Sequence, residues 1–178
     1  MYDKIEADQY GVEGEAKVLK FWKENDVVKK AMDKNDGTGE EFTFYDGPPT
    51  ANGKPHVGHI LTRVIKDIIP RYKTMKGYHC YRKAGWDTHG LPVELGVEKK
   101  LGITKEDIGK KISIEEYNRT CREAVMEFTG KWEDLTRKMG YWVNMDDPYI
   151  TYDNKYIETL WWLLKQLFDK GLLYKGYT

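Results

Sequence analysis

The sequence predicts an α/β protein in which parallel strands are joined by a crossover helix. Residues 42–45 are aromatic and threonine-rich, a composition typical of a strand. From Val57 to Ile68, apolar residues recur every three or four positions and predict a helix. Residues 78–84 have the composition of a second strand. A strand–helix–strand order favours a parallel pair connected by a crossover helix.

Composition narrows the class of protein. The chain has 178 residues, 40% of them hydrophobic and 33% charged, which predicts a folded, soluble protein with a sizeable core. The formal net charge is +0, so the total charge carries no signature of nucleic-acid binding, although a local patch can still bind. No apolar run of membrane-spanning length and no signal peptide are present. Cys80 and Cys121 are far apart, and we expect a cytoplasmic protein with no metal site.

Helix patterns and breaker residues predict the remaining elements. An amphipathic helix runs from Val12 to Trp22. Pro70 lies inside the helix that follows Val57 and is expected to kink or split it before Gly77 ends it.

In the C-terminal part, the pattern predicts one long helix over residues 113–140, capped by Ser113, and irregular chain over 144–152. A last helix is expected over 153–171, and residues 172–178 are expected to begin another strand.

The turn formed by residues 46–59 joins the first strand to its helix. Its histidines, His56 and His59, are three residues apart and therefore share one side of a helix. The start of a helix offers unpaired N–H groups and a positive dipole end, both suited to an anion. Three glycines would let a flat or charged ligand approach the backbone closely: Gly47, Gly53 and Gly58. The turn therefore predicts a nucleotide-phosphate site at a strand-to-helix junction.

Two other roles for the histidines stay open. They can be solvent-facing or capping residues, which is a common role for polar side chains at a helix start. A metal pair is less favoured, because no third ligand follows at a suitable spacing. The pattern GxxxxGK[ST] is absent, which disfavours an ordinary P-loop ATPase.

A second strand-to-helix turn covers residues 85–94. Its carboxylate, Asp87, can either pair with a cationic group such as an α-ammonium or cap the following helix. Trp86 can line a pocket or belong to the core.

Residues 49–59 resemble the HIGH signature of class I aminoacyl-tRNA synthetases. The motif consists of Pro49, Thr50, Ala51, Asn52, Gly53, Lys54, Pro55, His56, Val57, Gly58 and His59. Residues 85–94, Gly-Trp-Asp-Thr-His-Gly-Leu-Pro-Val-Glu, are similar to a second motif of the same family. Together the two motifs resemble the isoleucine-specific branch, and the likeness covers nearly the whole chain.

The resemblance implies a fold and a set of residue roles. Residues 42–178 would be the first half of a Rossmann-like catalytic domain, truncated before an editing insertion, and residues 1–41 a helical extension. The family roles give ATP binding to Asn52, His56, Gly58 and His59, with the two histidines acting in catalysis. Gly47 and Pro48 would line the amino-acid pocket, and Asp87 would bind the substrate's ammonium group.

The implied reaction joins isoleucine to its tRNA in two steps. Isoleucine attacks ATP, supplied with Mg²⁺, to give isoleucyl-adenylate and pyrophosphate, and the isoleucyl group then moves to tRNA(Ile). The family's lysine-bearing KMSKS loop is absent from these residues. We therefore expect an N-terminal fragment that does not charge tRNA alone. The alternatives are a small HxGH nucleotidylyltransferase and a non-catalytic synthetase-like module that binds a nucleotide or a partner.

Overall fold

Strands and helices alternate along residues 11–177, the part of the chain that the computed structural model describes. In order, they are α1 (Val12–Glu24), α2 (Val27–Met32), β1 (Glu41–Tyr45), α3 (Val57–Met75), β2 (His79–Trp86), α4 (Leu91–Leu101), a 3₁₀ turn (Lys105–Asp107), α5 (Ile114–Val125), α6 (Thr129–Lys138), β3 (Asn144–Ile150) and α7 (Asn154–Asp169). The predicted N-terminal helix, first strand and crossover helix are confirmed.

The three strands hydrogen-bond in the order β1-β2-β3 and run parallel. Helix α3 connects β1 to β2, as the strand–helix–strand pattern predicted, and α4 to α6 connect β2 to β3. Gly85 on β2 lies so close to β3 that an added Cβ would come within 2.3 Å of the Tyr149 ring. A side chain at position 85 would therefore force Tyr149 or the strand to move.

The described residues form two compact units. The first holds residues 11–46, Pro55–Arg82 and Glu133–Asn144, and the second holds Gly47–Lys54, Lys83–Trp132 and residues 145–177. Each unit combines several segments of the chain, whereas the predicted domains meet at a single boundary between residues 41 and 42. That boundary stays a prediction.

In the first unit, the inward side of α3 is polar. Asp46 is 2% exposed and accepts hydrogen bonds from Lys66 Nζ at 2.9 Å and from Tyr141 Oη at 3.0 Å. Arg63, also buried, donates to the Thr136 hydroxyl. Burying a charged group is unfavourable unless it has hydrogen-bond partners, and this network supplies those partners inside the first unit.

The apolar side of α3 is solvent-exposed. All of its large apolar side chains except the half-buried Ile60 are exposed, from 47% at Val64 to 80% at Val57. The spacing of apolar residues predicted the helix correctly but does not show which side is buried. Pro70 does not split α3, which is continuous to Met75, and Gly77 follows with φ +97.

The core of the second unit is formed by Ala51, Trp86 and Trp132, with Met126, Phe128 and Ile150 packed against them. Val93, Val97 and Val125 are also buried there. Burying aliphatic and aromatic surface is the main stabilising contribution in such a cluster.

Three predictions for the C-terminal part are wrong. The long helix is interrupted after Val125, where the Phe128 N–H donates to the Ala51 carbonyl instead of continuing the helix, and α6 begins at Thr129. Residues 144–150 form β3 rather than irregular chain. Residues 172–177 contain no strand. The helix after Asp153 is confirmed, with Asp153 as its N-cap and Gly171 at φ +70 past its end.

Candidate functional site

The histidine pair lies at the first turn of α3, in the first unit. His56 is the N-cap residue and His59 is the third residue of the helix, and their ring centroids are 3.7 Å apart. Both imidazoles cap the backbone: Gly58 N–H donates to His56 Nδ1 at 3.2 Å, and His56 N–H donates to His59 Nδ1 at 3.1 Å. The predicted location on one side of the helix is confirmed, and so is the capping alternative.

These caps determine which ring nitrogen carries the proton when an imidazole is neutral. An imidazole that accepts a hydrogen bond at Nδ1 carries its proton at Nε2 when it is neutral. Partial burial, and then the charges of His56 and Arg63, lower the pKa of His59 below its ordinary value. The neutral form of His59 is therefore favoured, and a neutral ring that accepts at Nδ1 carries its proton at Nε2. Capping and anion binding use different nitrogens and are compatible.

Gly58 lies against the His56 ring and leaves room for it. An added Cβ at this position would lie 3.1 Å from Cε1 and 3.3 Å from Nδ1 of His56. Contacts of this length would require the imidazole to shift by a few tenths of an ångström. The predicted role of this glycine in the approach of a ligand to the backbone stays a prediction.

The turn Gly47–Lys54 carries the other predicted residues and belongs to the second unit. The carbonyls of every second residue are bonded: Pro49 accepts from Asp87 N–H at 3.0 Å, Ala51 from Phe128 N–H at 3.3 Å, and Gly53 from the Trp132 indole at 2.9 Å. The Asn52 amide, predicted to lie near ATP, donates to the Pro92 carbonyl at 3.3 Å. Gly47 is exposed and Pro48 is half-buried.

Asp87 follows directly after β2 and is half-buried. Its carboxylate accepts from the Thr50 hydroxyl at 3.3 Å, and Thr50 and Asp87 form an isolated parallel bridge. The residue that caps α4 is Gly90, without any side-chain cap, so the capping alternative for Asp87 is wrong. Among residues 11–177 its carboxylate has no lysine or arginine partner. Trp86 is buried in the core of the second unit.

Sequence reasoning missed the residues that hold Asp87 in place. Buried Thr88 and Thr151 bond to each other through their hydroxyls at 2.9 Å, and Thr88 N–H donates to Thr151 Oγ1 at 3.0 Å. Thr88 Oγ1 also accepts from Tyr152 N–H at 2.9 Å. These bonds join the segments that directly follow β2 and β3, which the sequence placed in a turn and in irregular chain.

Within residues 11–177 one group has three potential metal ligands close together: Asp36, Glu41 and His79. His79 Nδ1 lies 2.9 Å from Glu41 Oε2 and 3.9 Å from Asp36 Oδ1. A histidine–carboxylate hydrogen bond accounts for this arrangement, and both carboxylates are exposed.

Parallel strands connected by crossover helices, with a strand-to-helix turn that carries the paired histidines, define a Rossmann-like α/β domain. The sequence model of the family "tRNA synthetases class I (I, L, M and V)" matches residues 17–178. The chain belongs to this family.

Curated relatives narrow the branch. The chain is 70% identical over 161 residues to an isoleucine–tRNA ligase of Bacteroides fragilis, covering 90% of this chain and 14% of the relative. It is 57% identical over 177 residues to an isoleucine–tRNA ligase of Clostridium novyi, covering 99% of this chain and 17% of that protein. The chain therefore spans 14–17% of the length of these relatives.

A solved structure with the same fold is the ternary complex of Agrobacterium radiobacter LeuRS with tRNA and LeuAMS. It superposes with a TM-score of 0.57 at 22% identity, covering 92% of this chain and 18% of that chain. Among the described residues, no helix is both long and apolar enough to span a bilayer.

Proposed function

We propose that this chain is the N-terminal part of an isoleucine–tRNA ligase. The observation that carries the proposal is 57–70% identity, over 90–99% of the chain, to proteins of that name. Because the chain belongs to the class I synthetase family, we do not retain the alternative of a small nucleotidylyltransferase. The substrates would be isoleucine, ATP with Mg²⁺ and tRNA(Ile), and the setting the cytoplasm.

The proposed chemistry needs no nucleophile from the protein. The isoleucine carboxylate attacks the α-phosphorus of ATP and pyrophosphate leaves, and the terminal ribose hydroxyl of the tRNA then attacks the acyl carbonyl and displaces AMP. The protein positions the reactants and stabilises the charge that develops on phosphate oxygens. The Nε2–H groups of His56 and His59 are suited to this second task, because hydrogen bonds to charged oxygens are among the stronger ones.

Substrate binding would use the turns of the second unit. The Asp87 carboxylate, held by Thr50 and lacking a cationic partner among residues 11–177, would bind the ammonium group of isoleucine. Gly47 and Pro48 would line the amino-acid pocket, and Asn52 would lie near the nucleotide. Gly58 would contribute indirectly, by leaving room for the His56 ring.

We further propose that these 178 residues do not charge tRNA alone. Their share of the relatives' length supports this, as does the exposed apolar side of α3, which is an unusual surface for a complete protein. Isoleucine-dependent pyrophosphate–ATP exchange should be at background for the isolated chain. Robust pyrophosphate–ATP exchange by the isolated chain would show that adenylate formation does not need the rest of the ligase.

The central test uses His59→Ala in the longer ligase polypeptide of which this chain is proposed to be the N-terminal part. Removing one transition-state donor should lower the rate constant of adenylate formation by about 10²–10³-fold, with little change in the KM for isoleucine. Asp87→Asn is the matched variant, and its effect should fall mainly on the KM for isoleucine. An unchanged exchange rate for His59→Ala would reject the histidine assignment, and a longer polypeptide without any isoleucine-dependent exchange would favour the non-catalytic module.

A further inference from the structure

The turn Gly47–Lys54 has little regular structure of its own and depends on neighbouring elements for its shape. Its carbonyls at Pro49, Ala51 and Gly53 are each bonded to a different part of the second unit. Of these three bonds, the one to Gly53 is the shortest at 2.9 Å and the only one made by a side chain, the indole of Trp132.

Trp132 is itself fixed in position. It is 2% exposed and packs with Ala51 and Trp86 in the core of the second unit. An indole N–H can only donate, and when buried it usually has a partner. Here that partner is the Gly53 carbonyl, so the ring both fills the core beneath the turn and orients the turn's backbone.

The start of α6 brings Trp132 to this place. The helix pattern is interrupted after Val125, and the Phe128 N–H that the interruption releases bonds to Ala51. Trp132 follows one helical turn later, and its indole bonds to Gly53, two residues along the turn from Ala51. Two successive contacts therefore match the two-residue repeat of an extended segment.

From these contacts we infer that Trp132 is a positioning residue for the substrate-binding turn, acting through the Gly53 carbonyl. The inference rests on the proposed function, which places Gly47, Pro48 and Asn52 at the substrates. Because Trp132 is buried, the role we assign to it is exerted through this carbonyl and not through a substrate contact. Its hydrogen bond holds the turn in one conformation, because a site works only when its supporting residues fix its geometry.

The variant Trp132→Phe removes the indole N–H and keeps an aromatic ring. The matched control is Trp142→Phe, because Trp142 is in the first unit and its Nε1 is buried without a hydrogen-bond partner. Hydrogen exchange by mass spectrometry on the 178-residue chain should show amides of residues 50–54 exchanging about five- to tenfold faster in Trp132→Phe. Trp142→Phe should leave this segment at the wild-type rate. Equal exchange of the segment in both variants would overturn the inference.

A second measurement needs no substitution and decides the question even if Trp132→Phe does not fold. In the proton NMR spectrum of the unmodified chain, the Hε1 proton of Trp132 should lie downfield of that of Trp142, because only the former is hydrogen-bonded. The reverse order would contradict the bond on which the inference depends.

A kinetic measurement separates positioning from a loss of folded protein. In the longer polypeptide, Trp132→Phe should raise the KM for isoleucine and lower kcat together by about tenfold at an unchanged active-site concentration, whereas Trp142→Phe changes neither. A merely structural role would lower the active fraction and leave the KM unaltered, which would overturn the inference. If the longer ligase polypeptide without substitutions shows no isoleucine-dependent pyrophosphate–ATP exchange, the proposed function fails. The hydrogen-exchange experiment on the 178-residue chain still decides the role of Trp132.

Discussion

Helix α3 and the cluster around Trp132 bury opposite kinds of side chain. On α3 the buried positions are Arg63, Asp67, Pro70 and Thr74, and most of the aliphatic residues are exposed. In the second unit the buried cluster is aromatic and aliphatic. The comparison shows that an amphipathic pattern predicts a helix without predicting which side of it is buried. Partners decide that: Asp46 and Thr136 satisfy the polar side of α3.

We expect the largest loss of stability from a substitution that breaks the polar network of the first unit. Asp46→Asn removes the buried charge that Lys66 and Tyr141 share, and should lower the free energy of unfolding by about 3–5 kcal/mol in urea. Asp147→Asn is the control, because the Asp147 side chain, which pairs with Lys83, is 77% exposed and exposed carboxylates contribute little through ion pairs. Similar unfolding midpoints for the two variants would show that the polar side of α3 does not stabilise the fold.

A smaller effect distinguishes two buried tyrosines. Tyr141→Phe loses the bond to Asp46 and should cost about 1–3 kcal/mol, whereas Tyr117→Phe should be close to neutral, because the Tyr117 hydroxyl is buried without a partner. Thermal or urea unfolding of both variants checks the difference. A large loss for Tyr117→Phe would mean that its hydroxyl does have a partner.

Tyr117 also predicts that the stability of the fold depends on pH in the alkaline range. Burial raises the pKa of Tyr117 to about 12, from 10.0. Between these values the unfolded chain holds fewer protons than the native one, so the stability contribution is complete below pH 10 and lost as pH rises towards 12. Tyr117→Phe should remove its share of this fall, as measured by urea unfolding at pH 9 and at about pH 11. Parallel pH profiles for wild type and variant would argue against the raised pKa.

The smallest effect concerns the exposed side of α3. The double variant Leu61→Gln, Ile65→Gln should change the free energy of unfolding by no more than about 0.5 kcal/mol, since both residues are exposed. It should also reduce self-association in sedimentation experiments, because an exposed apolar patch favours contact between molecules. Val125→Ala, at a fully buried position, serves as the destabilising control. A destabilisation equal to that of Val125→Ala would mean that the apolar side of α3 is packed.

Sequence reasoning predicted most of the elements but not the contacts that position the candidate site. Residue spacing located α3, and the strand-to-helix turn placed His56 and His59 at its start. The interruption between α5 and α6 was missed because it depends on the Ala51 carbonyl, which is far away in sequence.

β3 was missed for a local reason. Its central residues, Asp146, Asp147 and Pro148, are uncommon in strands, but β3 lies at one end of the three-strand order, where a missing N–H and exposed carboxylates are tolerated. The tautomer of each histidine also depends on capping bonds that only coordinates reveal.

The short interval between Phe128 and Trp132 has a consequence for which changes of chain length the molecule tolerates. Each residue of an α-helix advances the azimuth by about 100°, so one inserted residue in this interval would swing the indole roughly a quarter-circle away from Gly53. An insertion in the surface loop near Gly37, where an added side-chain atom would meet nothing within 4 Å, carries no such angular penalty. Helical phase, rather than side-chain chemistry alone, therefore limits the lengths that this family member can adopt between Phe128 and Trp132.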